Sequence, residues 1–497
     1  MSTAGPILDS GINRRVAARL SPDGPRLLVM SNRAPVRLVR EGGRSQIEQT
    51  VGGVGSTFLR LLDRSGGTWI AWSEGRNHPK RIEMPPDDPR FTMVFTSLSE
   101  RDVSDYYYGA CNRGLWPLMH FMTQNCHFDS RHWMSYCRVN EIFVKAAEEE
   151  ASSCDCVWVQ DFHLALTPRL WRQRGHQLPI GLFWHVPWPP EQVFRVFPWR
   201  SDLLNGMLGS DLIGFHTPQY VKHFLDSCER ILGLQVDRNN GVIFHDSRTT
   251  KVGAFPLGIA VDDFRKLSMS APVRARARRI HKSLRTPIVV LGVDRLDYTK
   301  GIEERLLGFE RFLEIHPECR GKITLVLIAV PSRTRVAEYA ALKRRIDELV
   351  GRMVGRFSVG GWVPIRYLYT QFSTEELLAY YQAADIALVT PLRDGMNLVA
   401  KEYPVSHLGD GGVLILSEFA GAAQELKSAL QVNPYDIDQI ADALHKAVEM
   451  PIKERQQRMT QLRQSIAGND LHSWSQKFLG ALMQGRSRQI DASLLPN

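Results

Sequence analysis

A doubly wound α/β protein of two domains is the fold class this sequence predicts, and three observations predict it. Short apolar, β-branched runs alternate with helical patterns along most of the chain, the pattern of parallel strands covered on both faces. The alternation comes in two series, interrupted over residues 256–287 by a stretch carrying a basic run from Arg274 to Arg285. The length, 497 residues, exceeds what one ordinary core holds.

Taken in order, Arg26–Met30 predicts a buried strand leading into Ser31-Asn32-Arg33. A polar insertion follows, then Val51-Gly52-Gly53 and a helical pattern over Thr57–Leu62; a glycine pair there lets backbone approach a ligand closely. Thr68–Trp72 and Phe91–Thr96 read as strands, and Ser99 with Asp102 as a helix start before Tyr106-Tyr107-Tyr108. A helix around Trp133–Ala151 precedes strand Cys156–Gln160, which ends at Asp161. Helix Leu164–Arg174 precedes strand Ile180–Trp184, which ends at His185. Strand Asp211–Phe215 and helix Pro218–Leu232 close the first series.

The second series predicts strand Ile288–Val293, helix Ile302–Ile315, strand Ile323–Ala329 and helix Val336–Val350. It continues with strand Val359–Val363, helix Glu375–Ala383, strand Ala387–Thr390, helix Leu398–Val405 and strand Val413–Leu416. Amphipathic helices run from Ile437 to the neighbourhood of Gln484. The expected organisation is a loose tail over 1–25, domains over 26–262 and 263–468, and a C-terminal helix within 469–497 packing back on the first domain.

Composition narrows the class. With 43% hydrophobic and 23% charged residues the chain reads as soluble and globular. The net charge of +9 comes from 62 Lys and Arg against 53 Asp and Glu, an excess that suits anionic small substrates and does not by itself imply nucleic acid. The seven cysteines are odd in number and lack paired zinc-like spacing, so reduced, packed thiols are expected. No apolar run approaches the roughly 20 residues of a membrane helix, and the first 25 residues lack a signal-peptide core. A cytoplasmic enzyme with no membrane or nucleic-acid partner is the expectation.

Chemistry gathers at the predicted carboxyl ends of strands, where ligands collect in such sheets. In Ala384–Tyr403 a strand, the turn Arg393-Asp394-Gly395 and a helix start offer free amides and a partial positive charge to an anion. Asp394 and Glu402 bracket that segment, about 12 Å apart if all eight intervening steps are helical. The same two residues would equally serve as a helix N-cap and a solvated face residue. Arg295 and Lys300, beside Gly301, form a diphosphate clamp without the P-loop pattern; a surface pair with Asp297 is the plain alternative. Arg333 and Arg33 each follow a strand and suit a phosphate, or a structural hydrogen bond. Tyr107 and Trp116 bring a hydroxyl, an indole N–H and ring faces, or simply core. Asp161 and His185 sit at strand ends. Residue chemistry alone reaches two anionic ligands between two α/β domains.

The chain also resembles the trehalose-6-phosphate synthase family of retaining glucosyltransferases, from about Arg26 to Trp474. Ser31-Asn-Arg33, Val51-Gly-Gly53, Tyr106-Tyr107, Leu115-Trp-Pro117, Val159–His163 and His185-Val-Pro187 carry the likeness. So do Val293–Gly301, Leu388–Tyr403, Ser417–Ala422 and Asn433-Pro-Tyr435. The resemblance implies the GT-B architecture, two Rossmann-like doubly wound domains facing across a cleft, with no metal or other cofactor. It implies transfer of glucose from a nucleotide sugar, UDP-glucose being the expected donor, to glucose 6-phosphate. Carried over, Arg295 and Lys300 hold the donor diphosphate, Glu402 the ribose and Asp394 the glucose. Gly53 and the backbone of Gly395, Met396, Asn397, Leu398 and Val399 meet the same donor. Arg33, Tyr107, Trp116 and Arg333 hold the acceptor phosphate; Asp161 contacts both sugars' reacting centre with His185.

A trehalose-6-phosphate phosphatase is the implied functional partner, and a homo-oligomer is compatible with the family. The alternatives are another phosphorylated acceptor, such as glycerol 3-phosphate, or a non-catalytic sugar-phosphate binder. The chain departs from the family pattern at Trp188 and around Met119, where the acceptor side is expected to differ.

Overall fold

The computed structural model describes residues 25–41, 44–49, 53–73, 79–333, 336–409 and 411–484. The expected N-terminal tail, Val51 and Gly52 lie outside the described residues. The chain forms two compact units, one running to Phe255 and resuming at Ser475, the other Pro256–Trp474. No helix among the described residues is long and apolar enough to cross a membrane.

The strands of the first unit are β1 (Leu27–Arg33), β2 (Val36–Glu41), β3 (Arg44–Gln49), β4 (Gly67–Trp72), β5 (Arg81–Met84), β6 (Phe91–Thr96), β7 (Cys156–Gln160), β8 (Ile180–Phe183), β9 (Leu212–Phe215), β10 (Gln235–Asp237), β11 (Val242–His245) and β12 (Arg248–Ala254). β2 and β3 pair as a separate antiparallel hairpin, within the polar insertion. The others form one sheet in the order β10-β11-β12-β9-β8-β7-β1-β4-β6-β5. The central strands are parallel, and Leu27, Leu28, Val29 and Met30 of β1 are fully buried, as a strand covered on both faces requires. Chain order runs outward from β1 through β4 and β6, then returns to β7 on the other side of β1. The topological switch point therefore lies between β1 and β7.

In the second unit the strands are β13 (Ile288–Arg295), β14 (Ile323–Val330), β15 (Ile365–Leu368), β16 (Ile386–Val389), β17 (Val413–Ser417) and β18 (Leu430–Val432). All pair in parallel in the order β15-β14-β13-β16-β17-β18. Here the chain leaves β13 toward β15 and returns to β16, which puts the switch point between β13 and β16.

Local chemistry explains the elements. Ser99 and Ser373 form capping boxes with Asp102 and Glu376. Thr217 caps the helix Pro218–Leu232, which Gly233 closes in the left-handed region. Phe478, on the last helix (Leu471–Gln484), stacks on Trp158 with ring centroids 4.7 Å apart. It lies over Gly181 and Gly214 of β8 and β9, where a Cβ would meet its ring at 2.8 and 2.7 Å. Glycine in these strands leaves the slot in which that helix docks on the first unit.

Several expectations change. The domain boundaries fall after Phe255 and Trp474 instead of at 262 and 468. The segment after Pro256 is tied into the second unit: Asn469 donates to the Pro256 carbonyl (2.7 Å) and the Leu471 amide to the Ile259 carbonyl (3.0 Å). Val359–Val363 is a turn, because Gly360 and Gly361 adopt φ of 58° and 84°; the strand is Ile365–Leu368. The basic run resolves as helix Ala271–Leu284. Val103–Leu115 winds as a π-helix, which no sequence periodicity announces. All seven cysteines lie among the described residues, and none is in a disulfide.

Two glycines give opposite predictions in urea unfolding. Gly351, inside the helix Ala337–Phe357, has open space on the side where a Cβ would stand, with no neighbouring atom within 4 Å. Gly351→Ala is therefore expected to stabilise by about 0.5–1 kcal/mol. At Gly421 a Cβ would lie 2.0 Å from the Gly395 carbonyl oxygen, and Gly421→Ala is expected to cost about 1–3 kcal/mol.

Candidate active site

In the first unit the flagged residues gather at the β1/β7 switch point. Arg33 ends β1, and its guanidinium stands over the Tyr107 ring (4.5 Å) and the Trp72 ring (5.1 Å). Tyr107 in turn stacks on His163, with ring planes 16° apart. Trp116, buried at the start of a short helix after the π-helix, packs on Phe162 at 6.1 Å and on His120 at 4.2 Å. Phe162 stacks on His163, so Tyr107 and Trp116 rest on one pair of rings just after β7. The π-helix widens the coil that presents Tyr107, while Tyr106 anchors it by donating to Asn32 Oδ1 at 2.9 Å. Gly53 is the first residue of helix Gly53–Ser65.

Asp161 follows β7 in the left-handed region, φ 69°, and its carboxylate accepts the His185 amide at 3.2 Å. A non-glycine residue there carries strain that the surrounding hydrogen bonds hold in place. The Asp161 amide donates to the Phe183 carbonyl at 2.7 Å, which ties the ends of β7 and β8 together. His185 Nε2 lies 2.9 Å from Gln160 Oε1. Burial, helped by His216, holds the His185 imidazole well below its usual titration range. It is therefore neutral at pH 7, a hydrogen-bonding group without charge. Trp188, expected to reshape this side, is fully buried among Trp184, Phe194, Phe215 and Phe224, and Met119 is buried as well. Both substitutions are accommodated in the core.

In the second unit the centre is the β13/β16 switch point. Lys300 Nζ donates to Asp394 Oδ2 at 2.5 Å, joining the loop after β13 to the turn after β16. Gly301, at φ 60°, permits this approach, since a Cβ there would lie 2.2 Å from the Thr390 carbonyl oxygen. Beneath it Arg305, fully buried, bonds Asp294 (2.5 Å), Thr390 (3.1 Å) and the Lys300 carbonyl (3.4 Å). Burial raises the Asp294 carboxyl, with Arg305 and Lys300 opposing. Arg295, at the end of β13, is exposed.

The helix does not begin at Asp394. It spans Val399–Ser406, and Asn397, at φ 73°, accepts the Ala400 amide at 3.1 Å while its amide group donates to Asp394 Oδ2 at 3.1 Å. Residues 394–398 form a turn, so the helical 12 Å spacing does not apply, and Asp394 is an ion-pair partner in place of an N-cap. A second loop laces this turn: the Asp394 amide donates to Phe419, Gly421 to Asp394 and Ala422 to Met396, at 3.2, 3.1 and 2.8 Å. Glu402 is no solvated face residue, for its Oε2 accepts a 2.8 Å hydrogen bond from Tyr381. Burial raises its carboxyl above the usual range, with the tyrosine bond opposing.

Asp297 pairs with Arg333 (3.2 Å) and Tyr339 (3.0 Å) and also feels the charges of Arg295 and Lys300, but it does so buried instead of at the surface that the plain alternative from sequence supposes. It is fully buried; burial would raise its carboxyl, but Arg333, Arg295 and Lys300 outweigh that and hold it at about 2. Arg333, at φ 48°, is fixed by this carboxylate and by the Tyr339 hydroxyl. Asp297, Tyr339, Arg305 and Tyr381 are the site residues that sequence reasoning missed as such; Asn397 was read for its backbone, and the structure adds its side chain, which holds Asp394. Asp297 lies inside a flagged motif, whereas Tyr339 and Tyr381 sit on helices and carry no local signal.

Each unit thus gathers charged, aromatic and hydrogen-bonding side chains at its own switch point. A family model described as Glycosyltransferase family 20 matches residues 25–484. An "Alpha,alpha-trehalose-phosphate synthase [UDP-forming] A" of Dictyostelium discoideum is 38% identical over 93% of this chain, and a "Bifunctional trehalose-6-phosphate synthase/phosphatase" of Thermoproteus tenax is 38% identical over 93%. The chain spans only 63% and 64% of those two proteins. A trehalose-6-phosphate synthase of Mycolicibacterium vanbaalenii is 39% identical, over 92% of this chain and 96% of its own. Among solved structures, an alpha,alpha-trehalose-phosphate synthase (UDP-forming) of Burkholderia xenovorans in complex with glucose-6-phosphate is 33% identical, with TM-score 0.85 over 92% of this chain and 100% of that one. A structure from E. coli bound with UDP-2-fluoro glucose is 32% identical, with TM-score 0.84 over 92% and 99%. The fold they share with this chain is GT-B, α/β with two Rossmann-like units. From the match along nearly its whole described length, the chain belongs to glycosyltransferase family 20.

Proposed function

We propose that this protein is a retaining glucosyltransferase that moves glucose from UDP-glucose to glucose 6-phosphate, giving α,α-trehalose 6-phosphate and UDP. The observation that carries the reading is the laced turn at the β13/β16 switch point, with Lys300 on Asp394 at one end and Glu402 on Tyr381 at the other. Relatives bound to glucose-6-phosphate and to UDP-2-fluoro glucose support the substrates.

In this reading Arg295 and Lys300 hold the donor diphosphate and Glu402 the ribose. Asp394 and the backbone of Gly395–Val399 receive phosphate and glucose, and Gly53 is assigned to the donor as well. Arg33, Tyr107, Trp116 and Arg333 take the acceptor phosphate, while Asp161 and the neutral His185 hold the sugars. The acceptor hydroxyl attacks the face from which the nucleotide leaves and gives its proton to the departing phosphate. The chain supplies position and fixed positive charge, so the cations of Arg295 and Lys300 do the work a metal ion does elsewhere. A trehalose-6-phosphate phosphatase is the functional partner; the two activities share one name in the Thermoproteus relative. A cytoplasmic location belongs to the same reading.

Product analysis with glucose 6-phosphate and UDP-, ADP- or GDP-glucose tests it: trehalose 6-phosphate is expected with UDP-glucose, and its absence with every donor overturns the assignment. Steady-state kinetics separate the two ligands. Arg295→Ala is expected to raise the donor KM by about tenfold or more, from one lost charged hydrogen bond. Tyr339→Phe frees Arg333 from one of its holds and is expected to raise the acceptor KM about five- to tenfold with kcat nearly unchanged. The Glu402 carboxyl, raised by burial, binds ribose as the anion. Donor KM is therefore expected to climb on acidification, beginning above the usual glutamate range, and Glu402→Gln to weaken binding and flatten that profile.

A further inference from the structure

We propose that His316, Glu318 and His445 form a binding site for a late first-row divalent ion, Zn²⁺ in particular, that ties two helices of the second unit together. His316 follows the helix Ile302–Ile315, Glu318 lies in the turn Pro317–Cys319, and His445 is on the helix Ile437–Glu449. Gly308 brings the two helices close, since a Cβ there would lie 2.4 Å from Ile440. Two turns beyond Gly308, His316 meets His445 with ring centroids 3.8 Å apart and planes 5° apart. One nitrogen or oxygen from each of the three side chains falls within 4.8 Å of the others.

Two details point to an ion. His316 Nδ1 and Glu318 Oε1 form a hydrogen bond of 3.2 Å, a spacing that also suits two ligands of a tetrahedral Zn²⁺, about 3.3 Å apart with bonds of about 2.05 Å. His445 Nδ1 is buried without a hydrogen-bond partner, although a buried imidazole nitrogen ordinarily has one. An imidazole binds an ion in its ring plane, so the two rings, parallel in this structure, open apart on binding until a nitrogen of each faces one centre, and the exposed Glu318 carboxylate exchanges its hydrogen bond to His316 for the ion. Two imidazoles and one carboxylate select Zn²⁺, Ni²⁺ or Cu²⁺ over Mg²⁺ and Ca²⁺, which prefer oxygen.

The site stands apart from the transfer chemistry. The helix Ile302–Ile315 begins beside Lys300 and carries His316 at its far end, about 21 Å along its axis. An ion there anchors the outer end of the helix whose inner end sets the donor loop. Its part is structural.

Isothermal titration of the full chain, stripped with chelator, with ZnCl₂ tests the site. One Zn²⁺ per chain is expected, with binding weakened about a hundredfold by His445→Ala and about tenfold by Glu318→Gln. Glu318→Gln alters an exposed side chain and remains readable where His445→Ala fails to fold. Co²⁺ is expected to give visible absorption with the wild type that Glu318→Gln changes, and MgCl₂ no binding heat at this site. The proposal is overturned by the absence of saturable one-to-one Zn²⁺ binding up to about 100 µM, which would confer no linked stabilisation, or by unchanged affinity in Glu318→Gln and His445→Ala.

Discussion

The ion pair between Lys300 and Asp394 is the constraint on which the second unit's site depends. It crosses the gap between β13 and β16, where chain order reverses. Both side chains are nearly buried, at 10% and 15% exposure, and loss of one partner of such a pair commonly costs about 3–5 kcal/mol. The groups around the pair serve its placement. Gly301 allows the loop to touch the Thr390 carbonyl, Arg305 supports it from below, and Asn397 turns Asp394 toward the lysine. Asp394 offsets part of the Lys300 charge, and Arg295, exposed at the end of β13, adds a second cation at this strand end.

The two arginines of this unit illustrate different solutions to one task. Arg333 is held by a buried carboxylate and a tyrosine hydroxyl, so its orientation is set before any ligand arrives. Arg295 is exposed, and an anion that binds it strips water from it. Preorganised charge favours discrimination of shape, whereas solvated charge favours capture and release. A site that both selects one anion and lets another go has use for both.

Much of this was legible in the sequence because buried parallel strands write themselves as apolar runs with glycine or polar residues at their carboxyl ends. Arg33, Asp161, His185, Arg295 and Asp394 all lie where that pattern placed them. The losses have physical causes. The edge strand β10, Gln-Val-Asp over three residues, lacks the apolar signature, and the β2–β3 hairpin lies in a segment too rich in charge to show an apolar run. The π-helix has no period that a single sequence displays, and the turn at 394–398 is shaped by Asn397 at φ 73° and by bonds to a distant loop, which spacing along the chain does not show. Asp297 was visible, but its partner Tyr339 lies 42 residues away on another element.

The contact of Gly421 with the Gly395 carbonyl has a consequence for how this protein can change over time. The turn at 394–398 is not an independent module, because its backbone is moulded against Ser417–Ala422. A substitution that lifts either strand of this lacing displaces the other, so neither segment can drift alone. Lineages that vary one of the two segments should show paired changes in the other.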